Sequence, residues 1–407
     1  MPETYSLLLI GVFAVLALLR LAESWFIVRY VRRVRTEPLG DEDCPPALVV
    51  LCLRGGDPFL HRTLEALIAQ DYPRYQIRIV VDSPQDDAHR YLAEALGPTP
   101  PTHVEVRTLV ERYRTCTFKM SGILHGTHDV PEEVALVALM DGDTVPHASW
   151  LRELATPIVR GDAAVTTGNR WFFPETPTLG SMCRFWWNAA AVPQMTLFHM
   201  PWGGTMAVRR DLIIDERLRE RIQHACSEDT SVGQFARDQG ERVHFEPSLI
   251  IVNREEIGVG SFFDFETRQL LFTRLEFRPY RWMVLIGLLT LVMVAYPLAR
   301  VAGLDASPWA DAAFAAYFLI NWAGVFLLGM SVRSVLARRG ETLAGWGGRR
   351  WLFATLGAFA MPILHLAAVV RAALMKRVRW RGVRYRLGGG TRIEVAEDEW
   401  ARHASGH

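Results

Sequence analysis

Two carboxylates stand one residue apart directly after a strongly apolar segment. Residues 134–140 read Val-Ala-Leu-Val-Ala-Leu-Met, which predicts a buried strand, and Asp141-Gly142-Asp143 follow at once. Sheets of α/β proteins bind ligands at the carboxyl ends of their strands. Two acids around a glycine offer oxygen ligands to a hard divalent cation, which in turn neutralises a bound diphosphate. The pattern suggests a nucleotide-sugar site, with an Asp-Gly hairpin turn as an equally simple alternative.

Two further acids follow predicted strands in the same way. The first strand leads into residues 54–58 (Arg-Gly-Gly-Asp-Pro), where two glycines permit close backbone approach to a ligand, and the second strand ends at Asp82. Loops after adjacent strands of a nucleotide-binding half-sheet lie side by side, so Asp57 and Asp82 are candidates to hydrogen-bond a base or ribose. Each is also typical of an ordinary helix cap or turn.

Three more polar residues stand at predicted helix starts. Lys119 opens a helix at the edge of the sheet where a ligand is expected to bind. The ammonium of a lysine there either binds a phosphate or is solvated. Glu228 and Asp229 lead into an amphipathic stretch, residues 230–238. An acid there is either a helix cap or a general base within about 3 Å of an acceptor hydroxyl. Residues 201–206 form a glycine turn before an apolar strand, which suggests either a sugar pocket or a simple loop.

The elements that must position these residues lie between residues 45 and 255. Short β-branched runs alternate there with amphipathic stretches, which predicts an α/β domain with a mostly parallel sheet covered by helices. The predicted strands are residues 47–53, 76–81, 103–109, 134–140 and 163–167. The predicted helices are residues 59–70, 86–96, 118–125 and 148–159.

Both ends of the chain are membrane-like. Residues 1–30 contain a long apolar stretch, 5–28, which predicts an uncleaved transmembrane anchor, and the arginines after it predict a cytoplasmic catalytic domain. Residues 281–372 contain three stretches near spanning length: 282–298, 314–330 and 351–370. Four full spans would place the basic tail, residues 373–407, outside, against the positive-inside rule. The last stretch is therefore either a span or a re-entrant or interfacial helix. We expect two to three spans within residues 281–372.

Two segments border the membrane regions. Residues 260–280 mix Phe and Leu with arginines, which predicts an amphipathic helix in the membrane interface. Arg268 and Arg274 on it either face the active site or bind anionic lipid head groups. Residues 183–200 are apolar and rich in Trp, which suggests either a border of the acceptor's path or ordinary packing.

Charge and cysteine usage exclude some classes of protein. The formal net charge is only +1, so nucleic acid is not an expected partner. The five cysteines are an odd number without CxxC spacing, which fits neither a zinc site nor a disulfide framework. A reducing, cytosol-facing catalytic region is the simpler interpretation.

Taken in order, these motifs resemble the membrane-integrated family 2 and family 21 inverting glycosyltransferases of GT-A fold, and most closely the ceramide glucosyltransferases. Residues 71–75 (Asp-Tyr-Pro-Arg-Tyr) look like the family's Asp-Tyr-Pro-Lys-Tyr turn. The carboxyl-terminal likeness rests on residues 380–382 (Trp-Arg-Gly), 384–387 (Arg-Tyr-Arg-Leu) and 389–391 (Gly-Gly-Thr). The likeness covers nearly the whole chain.

The resemblance implies a role for each candidate residue. Asp57, Asp82, Lys119 and Arg268 would bind the donor. Asp141 and Asp143 match the DxD aspartates that hold Mg²⁺ or Mn²⁺ and the diphosphate. Glu228 and Asp229 match the Glu-Asp pair that carries the catalytic base, with Asp229 as the base.

The resemblance also implies a reaction. The expected activity is transfer of a sugar with inversion, from a UDP-sugar such as UDP-glucose to a hydroxyl of a membrane lipid such as ceramide. The protein would be a multi-pass membrane protein, in the inner or plasma membrane if bacterial. A processive polysaccharide synthase, a polyprenyl-phosphate glycosyltransferase and a non-catalytic nucleotide-binding module are the alternatives.

One family motif departs from the pattern. The (Gln or Arg)-x-x-Arg-Trp signature of the interfacial helix would fall on residues 268–272, which read Arg-Gln-Leu-Leu-Phe and lack the Arg-Trp pair. Arg274 is the candidate for the missing cation. The loss argues against processive polymer synthesis, where the motif helps to hold donor and acceptor together.

Overall fold

A computed structural model describes residues 2–33, 37–56, 59–109, 112–388 and 393–398. Asp57 of the predicted donor site, and residues 389–391 of the carboxyl-terminal likeness, lie outside these described residues. The strands are β1 (Ala47–Leu53), β2 (Tyr75–Val81), β3 (Val104–Thr108), β4 (Leu136–Met140), β5 (Val165–Thr167), β6 (Arg170–Phe172), β7 (Thr205–Arg209), β8 (Val243–Phe245), β9 (Ile251–Asn253), β10 (Arg377–Trp380), β11 (Val383–Leu387) and β12 (Ile393–Asp398).

The helices fall into two groups along the chain. Those of the α/β region are α2 (Leu60–Ile68), α3 (Ala88–Leu96), α4 (Phe118–Gly126), α5 (Trp150–Val159), α6 (Leu179–Leu197), α7 (Arg210–Ile213), α8 (Glu216–Ile222) and α9 (Glu228–Asp238). The others are α1 (Pro2–Arg33), α10 (Val259–Glu276), α11 (Tyr280–Leu289), α12 (Val292–Val301), α13 (Pro308–Ala337) and α14 (Gly348–Leu374).

The central sheet has seven strands in the order β3-β2-β1-β4-β7-β5-β8. Strands β3, β2, β1 and β4 are mutually parallel, whereas β7 runs antiparallel to both β4 and β5. This is a mixed, mostly parallel sheet of the GT-A type, so the predicted fold class is confirmed. All five predicted strands exist, and their observed bounds differ by at most two residues at either end.

Alternation of side chains along the buried strands supplies two cores, one on each face of the sheet. Odd-numbered residues of β1, such as Val49 and Leu51, pack against α2, α3 and α5. Even-numbered ones, such as Leu48 and Val50, pack against α4 and the residues around α8 and α9. Because both faces are covered, β4 is apolar at every position and all five of its residues are buried. The sheet edge after β1 and β4 is therefore held rigidly.

Four helical segments are long and apolar enough to cross a membrane: residues 4–32, 280–301, 308–337 and 348–374. Helix α13 packs along α1, with Ser307 N donating to Ser6 Oγ at 3.0 Å. The two helices are therefore parallel and share one end. Arg20 and Glu23 on α1 form an ion pair at 2.6 Å.

Helix α14 follows a different course from α13. It packs along α6 and α10, and both of its ends contact the α/β region or α10. Arg350 near its start donates to the Glu175 carbonyl at 3.0 Å, and Arg371 near its end pairs with Asp264 of α10 at 2.6 Å. Despite Pro362 it is one continuous helix.

The basic tail forms a three-stranded antiparallel sheet, β10-β11-β12, that the sequence interpretation left without structure. This small sheet rests on the α/β region. Val395 N donates to the Arg114 carbonyl at 2.8 Å, and the Tyr385 and Phe118 rings meet edge to face with centroids 6.2 Å apart. The tail and the catalytic domain therefore lie on the same side of any membrane that the helices cross.

Candidate active site

One cavity of about 450 Å³ gathers the predicted site residues at the carboxyl edge of the central sheet. Its walls include every predicted site residue within the described part of the chain: Asp82, Lys119, Asp141, Asp143, Glu228, Asp229 and Arg268. The turn at Trp202 and Gly203 also lines it. Chain segments far apart in sequence thus converge on one volume.

Lys119 stands between two carboxylates at the centre of the cavity. Its Nζ lies 2.5 Å from Asp141 Oδ1 and also ion-pairs with Glu228 Oε1. Burial lowers the pKa of the Lys119 ammonium, but the two carboxylates outweigh it and raise that pKa. The ammonium is therefore permanently charged, and it acts as a fixed cation rather than as a base.

One ammonium does not neutralise two carboxylates equally. Burial raises the pKa of Glu228 to about 7 against the opposing effect of Lys119, with Asp229 and Asp141 adding to the rise. Burial also raises the pKa of Asp141, but Lys119 and Arg170 reverse this and lower it overall. Of the two carboxyl groups Asp141 is therefore the ionised one, whereas the raised pKa of Glu228 favours its protonated form up to about pH 7.

Arg170 joins the two aspartates of the Asp-Gly-Asp segment. Its Nη2 lies 3.4 Å from Asp141 Oδ2 and 3.1 Å from Asp143 Oδ1, and its guanidinium stacks 4.5 Å from the Trp202 ring centroid. Within the described residues, His, Cys, Asp and Glu form no group of three that could hold a metal ion alone. Two carboxylates suit Mg²⁺ or Mn²⁺ when substrate phosphates complete the coordination shell, so the residues fit a metal that arrives with a diphosphate.

Asp229 is held by its own helix start. Its Oδ1 accepts from the Ser227 hydroxyl and, at 2.7 Å, from the Thr230 amide, while the Gly203 amide approaches Oδ2 at 3.4 Å. Asp229 remains half-buried in the cavity wall, whereas Glu228 is buried and bound to Lys119. Of the two acids, Asp229 is the one with an oxygen available to a substrate hydroxyl.

Glu276, at the end of α10, holds the loop that carries Asp229. Its carboxylate accepts from the Cys226 amide, from the Ser227 amide at 3.3 Å and from the Thr230 hydroxyl at 2.5 Å. Burial raises the pKa of Glu276 to about 7, and Asp229 adds to the rise. The predicted interfacial helix is thus tied directly to the start of α9, a connection that the sequence did not indicate.

Asp82 lies deeper in the cavity than expected for a residue that meets a nucleoside directly. Its side chain is buried and ion-pairs with Arg54, and Arg112 approaches its Oδ2 at 3.5 Å. Both guanidinium groups stack on Phe118, each about 4.5 Å from the ring centroid. Asp82 therefore fixes two arginines at the base of the cavity.

The carboxyl-terminal sheet supplies a cation that the sequence interpretation missed. Trp380 and Arg381 line the cavity from the β10-β11 turn, and the Arg381 carbonyl accepts from Arg54 Nε at 2.8 Å. Arg381 has φ of 48° and Gly382 has φ of 74°, as a two-residue hairpin turn with both central residues left-handed requires. A non-glycine residue in that region is unusual and carries a cost in backbone energy.

Arg274, the candidate for the missing cation of the interfacial helix, lies elsewhere. Its Nη1 donates to the Ala373 carbonyl of α14 at 2.7 Å, and it is absent from the cavity wall. Arg268, Gln269 and Phe272 of the same helix do line the cavity. Trp380 of the tail packs on this helix, with its ring 5.6 Å from the Phe272 ring and 6.0 Å from the Arg268 guanidinium.

Comparison with known proteins places the chain in a family. The family model described as "Glycosyltransferase like family 2" matches residues 45–283. The chain belongs to this family. It therefore transfers a sugar from a nucleotide sugar, and the cavity at the sheet edge lies wholly within the matched residues and the tail that packs on them.

One solved structure supports the same fold for the glycosyltransferase. The mannosyltransferase PcManGT from Pyrobaculum calidifontis, solved with GDP-Man and Mn²⁺, aligns at 15% identity with a TM-score of 0.51. The alignment covers 90% of this chain and 99% of that one. A mycobacterial protein aligns at 12% identity and a TM-score of 0.40, over 59% of this chain and 80% of that one. No curated protein sequence matches the chain.

The residues missed from the sequence lie outside the motif positions. Arg170, which lines the cavity, opens the three-residue strand β6, and Glu276 follows the groups that it binds by 45 to 50 residues. For the tail a signal existed. Residues 377–387 alternate basic and apolar side chains around Arg-Gly, a pattern typical of a hairpin.

Proposed function

We propose that the protein transfers a sugar, with inversion, from a UDP-sugar to a hydroxyl of a membrane lipid such as ceramide. One observation carries the proposal. The cavity that holds Asp229, Asp141 and Asp143 is closed on its other side by α10, and α10 packs on the apolar helix α14. A donor site of sheet carboxylates and a wall continuous with apolar helices suit a soluble donor and a lipid acceptor.

In the proposed reaction Asp229 takes the proton from the acceptor hydroxyl. The hydroxyl oxygen attacks the anomeric carbon from the side opposite the diphosphate, the bond from that carbon to the diphosphate oxygen breaks, and the nucleoside diphosphate leaves with the electron pair. Lys119, Arg268 and Arg381 face the developing negative charge on the diphosphate. Glu228 keeps Lys119 in place.

Asp141 and Asp143 would hold Mg²⁺ or Mn²⁺ together with the donor diphosphate. Bound there, the metal would act as a Lewis acid on the leaving diphosphate. Arg170 already bridges both carboxylates and would shift toward the phosphate oxygens when the metal binds.

We further propose a topology with three spans. Residues 280–301 and α13 cross the membrane together with α1, while α14 lies along the interface beside α6 and α10. The contacts of both ends of α14 with the catalytic side support this assignment, and so does the docking of the tail on the same domain. The arginines after α1, between α13 and α14 and in the tail would then all be cytoplasmic, in agreement with the positive-inside rule.

Cysteine labelling tests the topology. Asp305→Cys, in the exposed turn before α13, should react with a membrane-impermeant maleimide in intact cells, whereas Arg379→Cys should react only after permeabilisation. The unmodified protein gives the background, because four of its five cysteines are buried. Labelling of Arg379→Cys from outside would instead make α14 a span.

The experiment for the function measures nucleoside diphosphate released by detergent-purified protein with Mn²⁺. The donors are UDP-glucose, other UDP-sugars and GDP-mannose, each with ceramide, diacylglycerol, polyprenyl phosphate or no lipid. Release that requires ceramide or diacylglycerol supports the proposal. Release that requires polyprenyl phosphate, or a product that lengthens without any lipid, overturns it.

The metal assignment has its own test. Asp141→Asn and Asp143→Asn should each lose Mn²⁺-dependent binding of the donor, measured by titration of the donor with and without the metal. The matched control is Asp162→Asn, which alters an exposed aspartate after α5. Full metal-dependent donor binding in either cavity variant would contradict the assignment.

A further inference from the structure

Three cavities follow one another from the catalytic site toward the surface of the apolar helices. The catalytic cavity shares Gln269 with a smaller one of about 70 Å³. The smaller cavity in turn shares Arg20, Gln194, Ile286 and Thr290 with a third, of about 340 Å³. The third cavity lies between α1, α6, α11 and α13, and most of its wall is apolar. The three cavities are therefore neighbours, and they lie in succession between the catalytic site and the apolar helices.

The middle cavity has a mostly apolar wall, in which a few polar side chains are set. Gln194 of α6, Gln269 of α10 and His365 of α14 converge on it from three different helices. The His365 side chain is only 8% exposed, and its Nδ1 lies 2.6 Å from Glu266 Oε1. Its Nε2 is buried and has no hydrogen-bond partner within the described residues. A buried polar atom without a partner costs free energy unless a ligand completes it.

The charge of this cavity argues against an anionic ligand. Arg20, which reaches both the middle and the outer cavity, is already ion-paired with Glu23 at 2.6 Å. A volume of about 70 Å³ holds two or three water-sized groups, which is too little for a sugar or a phosphorylated head group. The polar side chains in the wall, Gln194, Gln269 and His365, offer hydrogen-bond donors within an apolar surround, which suits a neutral acceptor such as a carbonyl.

We propose that the middle cavity binds the amide or ester linkage of the acceptor lipid and that the outer cavity holds one of its acyl chains. This inference rests on the proposed lipid acceptor. His365 Nε2 would donate to the linkage carbonyl, with Gln194 and Gln269 beside it. The lipid hydroxyl would reach the catalytic cavity past Gln269, which lines both cavities. A linear isoprenoid phosphate has no such carbonyl and would leave His365 without a partner.

The test uses donor-free protein, so that binding is measured apart from catalysis. The probe is a diacylglycerol with a diazirine in the middle of one acyl chain, and cross-linked residues are located by mass spectrometry. Label is expected on the outer cavity, at Leu197 or Leu289. Unlabelled dioleoylglycerol should compete about tenfold better than the matching dialkyl ether, because the ether lacks the carbonyl.

Variants distinguish an effect on the middle cavity from an effect on folding. His365→Asn keeps an atom near Nδ1 for Glu266 and loses the atom at Nε2, so the preference for ester over ether should fall to within about twofold. Ala191→Phe fills the middle cavity and should abolish labelling. Ala295→Phe adds the same bulk on the exposed face of α12 and should leave labelling intact.

The outcomes distinguish this inference from the proposed function. Label at other helices, or equal competition by ester and ether in the unmodified protein, overturns the inference even if sugar transfer to a lipid occurs. Label at the outer cavity with an ester preference, but no lipid-dependent release of nucleoside diphosphate, supports the lipid site and overturns the proposed transfer. Equal thermal unfolding of His365→Asn and the unmodified protein shows that the variant is folded.

Discussion

The two halves of the catalytic cavity differ in whether they supply acidic side chains. The half that comes from the central sheet and its loops supplies all the acids of the described wall: Asp82, Asp141, Asp143, Glu228 and Asp229. The half that comes from α10 and the carboxyl-terminal sheet supplies arginines and aromatic rings but no acid: Phe265, Arg268, Gln269, Phe272, Trp380, Arg381 and Tyr385. The acid-rich half also contains the cations Arg54, Lys119 and Arg170.

The difference teaches how the work is divided. Strand ends in fixed register hold the carboxylates that we propose for metal binding and proton transfer, and burial on both faces of β4 keeps that edge rigid. In the proposed reaction the second half adds cations for the diphosphate and borders the approach of a lipid. Since only the sheet half supplies acids to the described wall, a change in one half should affect a different step from a change in the other.

The largest effect should come from the sheet half. Asp229→Asn removes the proposed base, so kcat should fall about 10²- to 10⁴-fold with little change in the KM for the donor. Asp238→Asn, at the far end of the same helix α9, is the matched control and should stay close to the unmodified rate. A loss smaller than tenfold for Asp229→Asn would indicate an acceptor that is already ionised, such as a polyprenyl phosphate.

The next effect should come from the second half. Arg381→Gln keeps much of the side-chain bulk and removes a charge from the diphosphate side, so the KM for the donor should rise about 10- to 100-fold. Arg274→Gln changes the arginine that bonds the Ala373 carbonyl outside the cavity, and its donor KM should be nearly normal. The opposite ranking of these two variants would restore Arg274 as the substitute for the family's missing arginine.

The same division explains what the sequence predicted. The five strands and the acids after them could be located because apolar runs and the residues that end them are neighbours in the chain. Arg381 could not be recognised as a cavity residue from the residues next to it in the chain. Its place in the cavity wall depends on the β10-β11 hairpin, which folds back so that the Arg381 carbonyl accepts from Arg54. Glu276 was missed for a related reason: its partners, Cys226 to Ser231, lie far away along the chain.

A third prediction concerns the link between the halves. Glu276→Leu removes both carboxylate oxygens that Glu276 offers to the start of α9, so kcat should fall about tenfold while both KM values change less than threefold. Glu276→Gln keeps an oxygen for the amides and an amide for the hydroxyls, and it should recover most of the rate. Steady-state kinetics at saturating donor and lipid measure this split. Equal losses in kcat for the Leu and Gln variants would mean that charge, rather than position, is what Glu276 supplies.

The smallest expected effect is on stability and follows from the buried acid Glu228. Because its pKa rises from 4.5 to about 7 on folding, the folded protein keeps a proton that the unfolded chain has lost between these pH values. Its contribution therefore favours folding below about pH 4.5 and is lost as the pH rises toward 7, by up to about 3 kcal/mol. Glu276 acts in the same direction.

Glu228→Gln mimics the protonated acid and should weaken this dependence. The fall in Tm between pH 5 and pH 7.5 should be a few degrees smaller than in the unmodified protein, measured by thermal unfolding in detergent. Glu132→Gln alters an exposed acid and should reproduce the unmodified fall. Parallel Tm curves for Glu228→Gln and the unmodified protein would mean that Lys119 neutralises Glu228 fully. The sheet half would then have five ionised acids against its three cations, and the arginines that α10 and the tail provide would offset the excess of negative charge.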